Sequence, residues 1–197
     1  MEKNKTMYNI YKYILGLVFM AYYRPKIVNK KYIPKKGPVI IAGNHIHLFD
    51  QCLPILSTRR MIHYMAKKEY FEGKTAWFFK SSGCISVDRQ NKENAKIAVN
   101  TATNLLKKGY AVGIFPEGTR NKTDDILLPF KIGAVKMAKE TDATIVPFVI
   151  TGEYKFWNNN LKVTFLEPFK VNNMTLEYAN KRLRNMMLKE LKKSRKS

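Results

Sequence analysis

The chain has 197 residues, enough for one domain with a proper core and too few for two ordinary ones. Its 45% hydrophobic and 12% aromatic content excludes a disordered chain. Its 36 Lys and Arg against 15 Asp and Glu leave a net charge of +21, which calls for an anionic partner: nucleic acid, anionic lipid or a phosphorylated small molecule.

The first element is the apolar stretch Met7–Tyr23. As a helix it would reach about 25 Å, short of the roughly 30 Å hydrocarbon core of a bilayer. Met20-Ala21-Tyr22-Tyr23-Arg24 makes a poor cleavage site for a signal peptide. A core helix and an interfacial helix remain, and the flanking charges favour the second. Lys3, Lys5, Arg24 and Lys26 surround the stretch, and Glu2 is the lone acid through residue 40. Basic groups meet an anionic leaflet while the apolar run dips into it. Residues 1–34 are therefore expected to form a basic, aromatic membrane-interface segment, and residues 35–197 the catalytic domain.

Apolar runs then alternate with helical patterns. Pro38–Gly43, Met61–Ala66, Cys84–Val87, Tyr110–Phe115 and Ala143–Ile150 read as buried strands. Asn94–Lys108 places Ala98, Ala102, Leu105 and Leu106 on one helical face, with Gly109 as its stop. Gly133–Glu140 reads as a shorter helix and Lys162–Leu166 as a further strand. Leu176, Ala179, Leu183, Met187 and Leu191 form a core-facing helical stripe, and the basic tail Lys189–Ser197 is expected to fray. The alternation predicts an α/β fold: a single domain with a mostly parallel central sheet flanked by helices, plus the N-terminal membrane-associating helix.

Where strands end, chemistry begins. Asn44-His45-Ile46-His47-Leu48-Phe49-Asp50 follows the first buried strand, and ligands of parallel sheets bind outside the strands' carboxyl ends. A turn there folds Asp50 back onto His45, fixing its tautomer and leaving the other nitrogen to take a proton from a hydroxyl. A loop histidine beside a helix-capping aspartate satisfies the same spacing. Phe115-Pro116-Glu117-Gly118-Thr119-Arg120 makes a second tight turn after a strand, and Arg120 offers a planar fork suited to phosphate. Arg89 either holds a phosphate or pairs with Asp88, and Lys67 closes the strand Met61–Ala66. Cys52 and Cys84 form no CxxC pair and have no histidine at metal-ligand spacing. A reduced compartment with ordinary thiols follows.

Together these residues resemble the 1-acylglycerol-3-phosphate acyltransferase family, within the glycerolipid acyltransferase group. Four blocks carry the resemblance in order: Asn44-His45-x4-Asp50, Gly83-x-Ile85-x3-Arg89, Phe115-Pro116-Glu117-Gly118-Thr119-Arg120, and Val146-Pro147. Met65–Glu69 and Phe130–Ala134 look like the connecting segments, so the likeness covers about residues 38–150. It implies that His45 is the general base for the sn-2 hydroxyl of a lysophosphatidate, oriented by Asp50. The hydroxyl attacks the thioester of acyl-CoA or acyl-carrier protein and yields phosphatidic acid for phospholipid biosynthesis. Arg89, Arg120, Thr119 and Lys67 are implied as the phosphate and acceptor site, shaped by Glu117 and Gly118. No acyl-enzyme, metal or cofactor beyond the acyl donor is implied.

His47 competes with His45 for the role of base, but only His45 has the carboxylate at the family's spacing. Ser86 replaces what is often a larger apolar residue, and the short C-terminal stretch leads to the expectation of no added lid. The expected partners are the lysophospholipid, an anionic membrane surface and an acidic carrier protein, with the enzyme peripheral or monotopic at the cytoplasmic face of the cell membrane. Glycerol-3-phosphate or a lyso-aminolipid is the alternative acceptor. A basic membrane- or nucleic-acid-binding module is the non-enzymatic alternative, but no helix-turn-helix, zinc or RNA-reading motif supports specific nucleic-acid binding.

Overall fold

The continuous apolar runs become one sheet because neither of their faces can stay in water. The computed structural model describes residues 2–88 and 91–196. In chain order the strands are β1 (Lys26–Val28), β2 (Val39–Gly43), β3 (Ile62–Lys67), β4 (Ile85–Val87), β5 (Ala111–Ile114), β6 (Thr144–Thr151) and β7 (Lys162–Phe165). They form a seven-stranded sheet in the order β1-β7-β6-β2-β5-β3-β4. β6, β2, β5, β3 and β4 pair in parallel, while β7 is antiparallel to β6 and carries β1 parallel to itself. The mostly parallel sheet expected from the alternation is therefore present.

The helices are α1 (Glu2–Tyr23), α2 (Cys52–Ser57), α3 (Ala76–Ser81), α4 (Lys92–Lys107), α5 (Gly133–Thr141) and α6 (Leu176–Lys196). Side chains alternate across β2, so Ile40 and Ala42 join one core with α4, α5 and α6. Val39 and Ile41 join the other with Phe19 of α1 and Leu53 of α2. Close packing explains two glycines. A Cβ at Gly43 would stand 2.1 Å from the Phe148 ring, and one at Gly113 would stand 2.3 Å from that of Tyr64. Gly109 ends α4 as its position foretells, with φ of 78° and its N–H donated to the Leu106 carbonyl at 2.7 Å.

Three elements differ from expectation. β1 lies within residues 1–34 yet belongs to the sheet, pairing with β7, so that segment is built into the domain. The basic tail, expected to fray, is helical in its described part: α6 continues through Lys196, and Leu191 extends the buried stripe. α1 begins at Glu2 and is two-faced. Tyr8, Gly16 and Phe19 are buried, whereas Tyr13, Ile14, Leu17 and Val18 are each at least 60% exposed. No helix among the described residues is long and apolar enough to cross a membrane.

Candidate active site

Because β2, β5, β3 and β4 are parallel neighbours, the segments following them gather along one edge of the sheet. Residues 44–50 follow β2, residues 115–120 follow β5, and Lys67 ends β3. The structure thus brings together His45, Asp50, Lys67, Thr119 and Arg120. Arg89 lies outside the described residues; its neighbour Asp88 approaches Lys68 at 3.7 Å.

The expected fold-back of Asp50 onto His45 is present in the loop. Asp50 is fully buried, and its carboxylate folds back over the loop. Oδ2 accepts from the backbone N–H of Ile46 at 2.6 Å and of His47 at 2.8 Å, and lies 2.7 Å from His45 Nδ1. Oδ1 accepts the Tyr154 hydroxyl at 2.8 Å. With Oδ2 as its acceptor, His45 Nδ1 carries the hydrogen of that contact, leaving Nε2 as the nitrogen with a free lone pair. The imidazole is fixed in plane by stacking on Phe115, with ring centroids 4.1 Å apart and 10° between planes. His47 is set aside by the same geometry. Its backbone N–H, and not its ring, meets Asp50, while its ring stacks on Tyr154 and burial lowers its pKa.

Glu117, expected in the acceptor site, turns inward. Oε1 accepts from the His45 N–H at 2.8 Å and Oε2 from the Leu128 N–H at 2.9 Å. Its burial raises the carboxyl pKa, and these two hydrogen bonds oppose that rise. Gly118 makes the turn with φ of 71°, and the place of a Cβ is taken by the Lys131 side chain at 2.7 Å. Both residues shape the site from behind it. The Asn121 N–H reaches the His45 carbonyl at 2.7 Å, so the loops after β2 and β5 are tied on both sides of the histidine.

In front of His45 lies a cavity of about 340 Å³, lined by Tyr64, Lys67, Phe115, Thr119 and Arg120 among others. It combines apolar walls with cations, as a ligand with a hydrocarbon part and a phosphate requires. Cys84 also lines it, but burial raises the thiol pKa there, and it pushes that of Cys52 up to about 12. Neither is a ready thiolate nucleophile. Sequence reasoning missed Tyr154, whose one signal was its place just past the carboxyl end of β6. It also passed over the side chain of Asn44, which binds the backbone of Ile150.

A His–Asp pair beside a cationic, partly apolar pocket thus stands at the carboxyl edge of a parallel sheet, where α/β enzymes hold their substrates. The chain belongs to the acyltransferase family, whose family model, Acyltransferase, matches residues 24–151. It is 36% identical to the 1-acyl-sn-glycerol-3-phosphate acyltransferase of Bacillus subtilis, over 73% of this chain and 72% of that enzyme. The enzyme of the same name from Borreliella burgdorferi is 32% identical, over 68% of this chain and 54% of its own length. That from Saccharomyces cerevisiae is 29% identical, over 95% and 64%. The crystal structure of the 1-acyl-sn-glycerophosphate acyltransferase PlsC from Thermotoga maritima shares the fold. Its TM-score is 0.78 at 21% identity, covering 96% of this chain and 80% of that one.

Proposed function

We propose that the chain transfers a fatty acyl group from acyl-CoA or acyl-carrier protein to the sn-2 hydroxyl of 1-acyl-glycerol-3-phosphate, giving phosphatidic acid. The observation that carries this reading is the His45 Nδ1–Asp50 Oδ2 contact of 2.7 Å at the mouth of a cavity lined by Lys67 and Arg120. His45 Nε2 removes the hydroxyl proton as the oxygen attacks the thioester carbonyl. Asp50 supports the imidazolium that forms. Collapse of the tetrahedral intermediate breaks the C–S bond, and the imidazolium proton goes to the departing thiolate. Arg120, Lys67 and Thr119 hold the acceptor phosphate, with Arg89 as the fourth group carried by the motif. The acyl donor is a co-substrate, and the chemistry needs no metal or further cofactor.

The reaction takes place on an anionic membrane surface at the cytoplasmic face, where the lipid acceptor resides. The exposed apolar face of α1 and the net charge of +21 support this peripheral placement.

The test is transfer of a labelled acyl group from each donor class to lysophosphatidate by the wild type and His45→Ala, with circular dichroism to verify folding. Phosphatidate formed by the wild type and lost by at least about 10²-fold in a folded His45→Ala is the expected result. Activity that survives in the variant removes His45 as the base.

A further inference from the structure

The loop joining β6 to β7 keeps two bulky aromatic side chains in solvent. Phe156 is 62% exposed and Trp157 61%. Trp157 also has φ of 54°, a left-handed conformation that non-glycine residues rarely adopt. The strain is held by the end of α1. The Trp157 N–H donates to the Tyr22 carbonyl at 3.0 Å, and the Phe156 ring lies 4.7 Å from that of Tyr22. The Arg24 guanidinium stands over the Trp157 ring at 5.4 Å. Leu15, Val18 and Tyr22 are exposed at helical spacing, so Phe156 lengthens an apolar stripe that runs along α1. Arg24 and Lys26 stand exposed beside it.

We propose that the Phe156–Trp157 tip is a lipid-docking element, entering the interfacial layer of an anionic bilayer beside the outer face of α1. The proposal rests on the membrane placement given above. Aromatic rings with an apolar body and a polar N–H settle at headgroup depth, and the neighbouring cations meet anionic headgroups.

Trp77→Phe leaves Trp157 as the one tryptophan of the chain, which contains two. Adding phosphatidylglycerol-rich vesicles is expected to shift its emission to the blue, and brominated lipids to quench it. Phe156→Ser with Trp157→Ser is expected to weaken vesicle binding by roughly tenfold or more. Vesicle binding with unmoved Trp157 emission and undiminished affinity in the double variant would overturn the tip and leave α1 as the anchor. A protein that binds no vesicle overturns the tip and the membrane placement together.

A separate observation concerns Tyr154, three residues before the pinned Trp157. Its hydroxyl donates to Asp50 Oδ1 at 2.8 Å, while the other carboxylate oxygen serves His45. The ring is clamped by His47, stacked at 4.1 Å, and by Tyr23 at 5.5 Å. Burial raises the phenol pKa far above its usual value, so the oxygen keeps its proton and remains a donor. The geometry points to Tyr154 as a positioning residue that fixes the plane of the Asp50 carboxylate against the His45 ring.

Tyr154→Phe keeps the packing and removes one hydrogen bond to a charge, so kcat is expected to fall roughly tenfold with KM unchanged. With one donor fewer, Asp50 favours the His45 imidazolium more strongly, and the acid limb of the pH profile of kcat moves upward. A kcat and an acid limb that both superimpose on the wild type would overturn the assignment.

Discussion

The side chain of Asn44 and the backbone of Ile150 hold each other in both directions. The amide nitrogen donates to the Ile150 carbonyl at 3.0 Å, and the amide oxygen accepts the Ile150 N–H at 2.7 Å. The ladder between β2 and β6 ends at Gly43 and Phe148, so this pair extends it by one side chain. His45 is the next residue, and its starting point is therefore fixed by a strand more than a hundred residues away in sequence.

Asn44→Ala would leave two buried backbone groups of Ile150 without partners. Each orphaned group costs about 1–3 kcal/mol, so a loss of roughly 2–4 kcal/mol is expected in urea denaturation. Activity is expected to fall further than stability alone explains, since the chain entering His45 loses its tether.

Glu117 links His45 to the loop that contains Leu128. Glu117→Gln sets an amide donor against one of two N–H donors. A stability loss of about 1–3 kcal/mol is expected, with a lower kcat as the His45 backbone moves. Thermal melting and steady-state kinetics decide the role: a raised KM for the acceptor at unchanged melting temperature would return Glu117 to the substrate site.

These two clamps show what a sequence displays and what it hides. The buried strands were legible because a run such as Val39–Gly43 is apolar at every position, as both of its faces demand. β1 was not, because Lys26–Val28 is short and half-exposed. α2 was hidden by Pro54, which the first turn of a helix tolerates. Within the site, His45 and Asp50 were legible because they sit five residues apart on one turn. Tyr154 was not, because it meets Asp50 across 104 residues and no local spacing announces it. Glu117 was found, but whether a carboxylate faces substrate or backbone depends on the Leu128 loop, which no motif describes.

Arg120 is exposed on the wall of the cavity that His45 also lines. If it grips the acceptor phosphate equally in the ground and transition states, Arg120→Ala raises KM by roughly ten- to hundredfold with little change in kcat. Arg120→Lys keeps the charge but not the fork, and an intermediate KM is expected. Kinetics against lysophosphatidate and against an acceptor lacking phosphate measure this, because the second should be indifferent to both substitutions.

His63 and His47 make the fold sensitive to acid. Burial lowers the pKa of each, outweighing the Gly83 carbonyl that favours protonated His63 and the Asp50 charge that favours protonated His47. His63 Nδ1 lies 2.8 Å from the Gly83 carbonyl, while Nε2 is buried without a partner. A proton arriving on Nε2 therefore finds no acceptor. The unfolded chain titrates near pH 6.5, above the folded value, so below about pH 6.5 it binds protons that the folded chain refuses. Stability is thus complete above that pH and falls as pH drops through the interval between the two pKa values. A melting temperature that is level from pH 8 to about pH 7 and declines toward pH 5.5 is expected. His63→Leu removes one of the two groups, and its melting temperature, lower at neutral pH for want of the Gly83 hydrogen bond, should decline less steeply with acid than that of the wild type.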